Sequence, residues 1–498
     1  MQSFVPHRCH SRNFRRPPVG LGKIKHVVVL MMENRSQDNL LGWLYQAEKN
    51  RPPRNIPPQI PPSYDGLVPG KYSNTYNGKT VQAGGNPTNF LSPSPDPQEE
   101  FDHMTDQIFG NPHQASPDMS GFLADYATTD AGKSGTEGQI LQTYGPTWAK
   151  VINNLAKSFA VSDRWFASAP CQTWPNRGFM HAGSSDGHIN NDLYEPYDIP
   201  TIFNVLEDQK KTWGVFYPEY YTELGIAYPS LTFGQFLPQL FWYEMSRFFY
   251  MDQFFQRCKA PAGAPPDQKL PQYSFVEPQF QEKGENDYHP PSNVLFAEQF
   301  LKSVYDAVLN SPYRDDILLV VTFDEHGGCY DHVPPQPSSI PPVPGSKSRD
   351  GSFDFTRYGV RVPTIVISSY VQPGTVFRAP ANPKVPNPPQ YDHTSILATL
   401  RDWLQLNPRD PFFQNPRVRQ APTLAQVLDL DSPRLNWPEI SGPEAPEAAP
   451  DMPPAPPSDM QKGLKEFAVR MDRQHRSKKK LTHEDAKNFM RALPPGEP

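Results

Sequence analysis

Two acidic pairs and one threonine carry the chemistry open to this sequence. Glu33-Asn34 closes the apolar run His26–Met32 (HVVVLMM), and Asp324-Glu325 closes the run at 316–323 (DILLVVTF), with His326-Gly327-Gly328 directly behind it. The ends of two apolar runs thus deliver three carboxylates and one amide. Carboxylates held together raise one another's pKa, and a divalent cation relieves the repulsion. Oxygen ligands of this kind suit magnesium, calcium or manganese, and mixed sites take zinc or iron. A single acidic residue after a strand is usually an N-cap or a salt-bridge partner. Two pairs, one followed by His-Gly-Gly, favour one divalent metal ion of unreadable identity.

A nucleophile for such a centre is present at 169–185, APCQTWPNRGFMHAGSS. Thr173 stands just before Pro175-Asn176-Arg177, and proline favours the first turn of a helix. A hydroxyl there sees the positive end of the helix and N–H groups that also hold phosphate oxygens. Metal coordination would lower its pKa and make an alkoxide available. Taken alone, a threonine at this place is more often a helix cap. Arg177 is a candidate bidentate ligand for phosphate. Five histidines, His103, His289, His326, His332 and His393, lie near Asp or Glu in stretches that read as loops. Any one alone is more often a surface or core residue, but a histidine can protonate a leaving alkoxide at neutral pH.

The elements that must position these residues are short and apolar. Runs at 26–32, 212–216, 273–276, 316–323 and 362–368 are mostly continuous rather than alternating, as in strands buried on both faces of a parallel sheet. Helical stretches at 147–157, 294–310 and 394–404 alternate with them, which implies an α/β layered fold. Ligands of such sheets bind beyond the carboxyl ends of the strands, where both acidic pairs fall. The expected organisation is a catalytic domain over 20–438, a Pro/Ala-rich linker over 439–458 and a helical tail over 459–498. Within the domain, 51–97 reads as a Pro-rich surface excursion and 217–270 as an aromatic segment suited to a lid.

Composition sets outer bounds. Proline makes up 61 of 498 residues, against a usual ~5%, which signals long ordered loops because the aromatic fraction of 12% argues against disorder. A net charge of −6 gives no reason to expect nucleic acid, and the one short basic run (RSKKK, 476–480) reads as a solvated face. The four cysteines form no CxxC pair, so neither a zinc site nor a disulfide scaffold is legible. The basic N-terminal stretch MQSFVPHRCHSRNFRRPPVG lacks the apolar segment of a signal peptide, and no apolar run approaches the ~20 residues of a membrane span. The expected location is cytoplasmic, or outside by a route without a cleavable apolar signal.

In this order, HVVVLMMENRS, TWPNR, DYHPP, FDEHGGCYDHVPP, YGVRVPTIVIS and YDHTSIL resemble the bacterial and plant phosphoesterase family of non-specific phospholipases C and related acid phosphatases. The matches run over about 25–404. The resemblance implies an alkaline-phosphatase-like α/β core, a mostly parallel central sheet with helices on both faces. It implies a metal held by Glu33, Asn34, Thr173, Asp324 and Glu325, with Thr173 as nucleophile where phosphatase-like relatives carry serine. His103 and His289 would line the phosphate pocket as catalytic acids, and Asn176 would join Arg177 and His326 as substrate ligands. Departures are Gln37-Asp38-Asn39 in place of Phe-Asp-His, Tyr288 in place of Glu, Cys329 in place of an aromatic residue, and Ser369-Tyr370 in place of Pro-Trp; they bear on substrate choice. The expected activity is phosphoric-ester hydrolysis through a phosphothreonine, foremost a phospholipase C acting on phospholipids with peripheral membrane contact. An acid phosphatase for soluble monoesters is the alternative. A non-catalytic phospholipid-binding protein would have lost the nucleophile or a ligand.

Overall fold

A computed structural model of the chain describes residues 20–45, 50–110, 113–191, 196–218, 233, 236–240, 244–280, 285–336, 339–381 and 387–443. Nearly all of the expected linker and the whole of the expected tail lie outside the described residues.

The strands in chain order are β1 (His26–Met32), β2 (Arg54–Ile56), β3 (Ser73–Tyr76), β4 (Lys79–Gln82), β5 (Ala160–Ser162), β6 (Trp213–Tyr217), β7 (Phe248–Tyr250), β8 (Tyr273–Val276), β9 (Ile317–Phe323), β10 (Thr364–Ile367) and β11 (Thr375–Phe377). Nine of them form one sheet in the order β2-β11-β5-β10-β9-β1-β8-β6-β7, and β3-β4 is a separate hairpin. In the large sheet only β10 runs against its neighbours, β5 and β9; the other pairings are parallel. Every residue of β5, β6, β8, β9, β10 and β11 is buried. Both faces of the sheet are therefore covered, which is why its strands read as unbroken apolar runs.

Six helices bear on the site: α1 (Gln37–Leu41), α2 (Phe101–Phe109), α3 (Lys150–Ser158), α4 (Thr173–Ala182), α5 (Val294–Leu309) and α6 (Thr394–Trp403). α3 packs on α5, and α4 packs on α6. Glu298 of α5 joins the first pair, accepting from the Ile152 amide at 3.2 Å and also from the Val151 amide at the start of α3. Among the described residues, no helix is long and apolar enough to cross a membrane.

The expected α/β architecture is present, and all five apolar runs are strands of the sheet. β2, β5, β7 and β11 were not legible, because three residues carry no periodicity. The Pro-rich segment 51–97 is not a simple excursion. It adds β2 to the sheet edge beside β11, where a strand needs hydrogen bonds on one side only and prolines are tolerated. It then returns over the carboxyl edge of the sheet. In the segment expected as a lid, the described residues include β7 and a helix over Met251–Cys258, whose Phe254 is fully buried against Phe216.

Candidate active site

β1 and β9 pair in register, with Met32 opposite Phe323. Glu33 and Asp324 therefore leave the sheet side by side. β8 lies on the other side of β1, with Val276 opposite Leu30, and brings Glu277 to the same edge. All three carboxylates are fully buried. Asn34 turns the chain out of β1 with φ 53°, a left-handed conformation that asparagine adopts more readily than most residues. Its amide N–H donates to Asp324 Oδ1 at 3.0 Å, and the Glu325 N–H donates to the same oxygen at 2.8 Å.

Thr173 is the first residue of α4, which ends at Gly183 in the left-handed region, a usual helix stop. Its Oγ1 lies 3.4 Å from Glu33 Oε2 and 3.4 Å from Asn34 Oδ1. The sequence-expected Glu33, Asn34 and Thr173 thus converge, with Asp324 tied to the same turn. Among the described residues, Asp324 Oδ2 and Glu325 Oε1 are buried oxygens with no hydrogen-bond donor. Burial, reinforced by Asp324, raises the Glu33 carboxyl well above the ordinary range, and Arg177 offsets only part of this. Burial also raises Glu325, with help from Glu99 and Asp324. Oxygen donors of this kind, short of positive charge, fit a hard divalent cation.

Arg177 has a different role from the expected one. Its Nη2 donates to Glu33 Oε1 at 2.6 Å, its Nη1 to Glu277 Oε1 at 2.9 Å, and its Nε faces Asp324 Oδ2 at 3.5 Å. The whole guanidinium is buried against protein carboxylates and leaves no fork for a phosphate. Asn176 is likewise committed. Its Oδ1 accepts from the Ala169 amide at 3.1 Å, and its Nδ2 donates to the carbonyls of Ala169, Cys171 and Gln172. It shapes the loop that presents Thr173 and is not placed as a substrate ligand.

The histidines separate clearly. His289 follows Asp287 and Tyr288 on a loop pinned by two contacts. The Tyr288 hydroxyl donates to Glu298, and Arg35 Nε donates to the Tyr288 carbonyl at 2.7 Å. Tyr288, at the departure from the family pattern, has φ 76°, a strained value for a bulky residue of the kind that clusters at functional sites. His289 Nδ1 donates to the Pro290 carbonyl at 2.6 Å, which leaves Nε2 facing Glu99 Oε1 at 3.8 Å. Burial alone would lower its pKa, but Asp96, Glu99 and Asp287 together outweigh it and hold the imidazole protonated.

His103 lies on α2 with its ring bonded to Asp125 at 2.7 Å and about a third of its side chain exposed. Glu99, just before that helix, is the residue that enters the centre: its carboxylate accepts from the Asn34 side-chain amide. His326 Nε2 donates to Gln107 Oε1 at 2.8 Å, and Gln107 in turn donates to Asp125, the partner of His103. Burial lowers the His326 pKa to about 3, so the ring is neutral and braced. His393 Nε2 donates to the Asp324 carbonyl at 2.6 Å and holds that turn in place.

A second acidic group, Asp38, Asp331 and His332, has ligand atoms within 4.8 Å of one another. Here the positive charge is already supplied. Arg361 reaches Asp38 Oδ1 and Asp331 Oδ1, both at 3.0 Å. His332 bonds Asp38 at 2.6 Å, and although burial lowers its pKa, Asp38 and Asp65 outweigh that and push it up to about 9. Arg361 also donates to the carbonyls of Asp65 and Asp163. The group ties Asp65 of the segment 51–97 to Asp38 of α1, to Asp163 just after β5 and to the loop that carries Asp331 and His332.

Gly327 closes the turn after Asp324-Glu325 with φ 57°, and a Cβ there would run into the Asn34 carbonyl and side chain. Gly327→Ala is therefore expected to push Asn34 away from Thr173 and lower kcat by about 10²-fold, the usual consequence of a ~1 Å misplacement. Steady-state turnover measures this, and a wild-type rate would disprove the contact's importance.

Glu277 and Glu99 were missed by sequence reasoning. Glu277 directly follows the apolar run 273–276, so the strand-end rule applied to every run would have found it. Glu99 carried no signal, because it sits in a proline- and acid-rich loop (SPSPDPQEE).

The model of the phosphoesterase family matches residues 24–407. The chain is 32% identical over 444 residues to non-specific phospholipase C3 of Arabidopsis thaliana, covering 85% of this chain and 77% of that one. It is 24% identical over 483 residues to phospholipase C B of Mycobacterium tuberculosis (strain H37Rv), covering 82% and 84%. Among solved structures, it is similar to the lipoteichoic acid synthase LtaP of Listeria monocytogenes at 14% identity and a TM-score of 0.32, over 72% of this chain and 88% of that one. With a family model spanning most of its length and a plant relative at this identity, the chain belongs to the phosphoesterase family.

Proposed function

We propose that this protein is a phospholipase C-type hydrolase that cleaves phosphoric diesters of phospholipids with Thr173 as nucleophile. The observation that carries the reading is the approach of Thr173 Oγ1 to Glu33 and Asn34, 3.4 Å from each, in a chain whose relatives are named phospholipases C. Glu33, Asn34, Asp324 and Glu325 would hold one divalent cation. When bound, that cation would lower the pKa of the threonine hydroxyl and offset charge on the phosphoryl group.

Thr173 Oγ1 attacks phosphorus, with its proton passing toward Glu33 Oε2, its near acceptor. The bond from phosphorus to the glycerol oxygen breaks as His289 Nε2 gives its proton to that oxygen, releasing a diacylglycerol. His289, now neutral, takes a proton from the water that attacks the phosphothreonine. As the bond from phosphorus to Thr173 Oγ1 breaks, Glu33 returns its proton to that oxygen, leaving the phosphorylated head group, free Thr173, an ionised Glu33 and a recharged His289. Pro290 holds Nδ1 throughout, so that Nε2 is the nitrogen presented to the substrate.

Three substrates test the reading: phosphatidylcholine vesicles, p-nitrophenyl phosphorylcholine and p-nitrophenyl phosphate, each with magnesium, manganese, calcium or zinc. Release of phosphorylcholine from the vesicles is expected. Turnover of p-nitrophenyl phosphate alone would move the assignment to a monoester phosphatase, and no turnover of any would overturn it.

His289→Gln is expected to lower kcat by about 10²–10⁴-fold, the usual worth of a positioned acid, whereas His103→Gln leaves it within a few-fold. Because the His289 pKa is raised in the folded protein, the acid is present at neutral pH and is lost as pH rises through that value. The wild-type kcat should therefore fall on the alkaline side, and the His289→Gln profile should lack that limb. Equal losses in the two variants would refute the assignment.

A further inference from the structure

We propose that Glu99 is a positioning residue of the centre, fixing the side-chain amide of Asn34 so that its oxygen and not its NH2 faces Thr173. The inference rests on the reading of Asn34 as a cation ligand. An asparagine amide presents an acceptor at one end and donors at the other. The Asn34 main chain is pinned by its N–H bond to Asp324 and by the packing of Gly327 against its carbonyl, so rotation of the amide is its main remaining freedom. Nδ2 donates to the Glu99 carboxylate, and Oδ1 stands 3.4 Å from Thr173 Oγ1. The flipped amide would put its carbonyl dipole against the Glu99 carboxylate and its NH2 group toward the threonine and the cation. A charged acceptor makes a hydrogen bond roughly twice as strong as a neutral one, so Glu99 sets the orientation firmly. Only 6% of its side chain is exposed, which shields that bond from water.

Titration of the metal-stripped full chain with Mn²⁺ by isothermal calorimetry tests this without reference to turnover. Wild type, Asn34→Ala, Glu99→Ala and Glu99→Gln are compared, with unfolding in EDTA as a check that each is folded. Glu99→Ala is expected to bind Mn²⁺ about 10–100-fold more weakly, the usual effect of removing a group that orients a ligand. Glu99→Gln, whose Oε1 still accepts from Asn34, is expected to stay within about threefold of wild type. Wild-type affinity in Glu99→Ala would overturn the proposal. Equal weakening in both variants would also overturn it, because the carboxylate charge and not the Asn34 orientation would then be what matters. Unchanged affinity in Asn34→Ala, or no Mn²⁺ binding by wild type, would overturn the underlying reading of Asn34 instead. Should Glu99→Ala fail to fold, Glu99→Met keeps the side-chain volume and serves the same comparison.

Discussion

Thr173→Ala should lower kcat on p-nitrophenyl phosphorylcholine by at least about 10³-fold, as removal of a nucleophile does, and should leave the fold intact. Among the described residues the hydroxyl makes two long contacts, both at 3.4 Å, so its loss costs little hydrogen-bond energy. The remaining penalty is that of a small buried group, about 1 kcal/mol. The thermal midpoint should therefore move by no more than about 2–4 °C. Thr173→Ser keeps an attacking oxygen and should retain most of the activity. Acid quenching of wild type during turnover should trap a phosphoryl adduct on the peptide that carries Thr173, and the alanine variant should show none. Turnover near the wild-type rate in Thr173→Ala would end the proposed mechanism.

Arg177→Met is expected to be the most destabilising single change at the site. The substitution keeps an unbranched side chain but removes the cation between Glu33, Glu277 and Asp324. Breaking a buried ion pair by removing one partner costs about 3–5 kcal/mol, because the remaining charge is left uncompensated. Denaturant unfolding in EDTA measures the loss directly. Adding Glu277→Gln should recover part of it by removing one of the stranded carboxylates. The contrast with the phosphate-ligand expectation is sharp: a substrate arginine would raise KM and leave stability nearly unchanged. A loss below about 1 kcal/mol, the range of exposed pairs, would mean that the guanidinium does not serve this structural purpose.

The residues legible in the sequence were those whose position follows from local rules. Glu33 and Asp324 end apolar runs, and parallel strands deliver their carboxyl ends to one edge, so their proximity needed only the fold class. Thr173 was marked by Pro175, two residues on, because proline favours the first turn of a helix. The residues that misled, or went unseen, depend on direction and on partners far away in the chain. His103 and Glu99 are four residues apart, yet the loop before α2 turns Glu99 inward while the helix points His103 at Asp125. Nothing in the stretch QEEFDHM encodes that choice.

Arg177 has the side chain of a phosphate ligand, and only the convergence of β1, β8 and β9 beside α4 shows that three carboxylates already claim it. The sequence by itself determined the α/β layering, the strand ends that build the centre and the family, because periodicity and strand polarity are local properties of a chain. The tertiary structure alone decided which charged groups neutralise each other and which are left facing the site. Coulomb energy and desolvation depend on distances between residues far apart in the chain, such as Asn34 and Asp324, 290 positions apart, and no local pattern carries those distances.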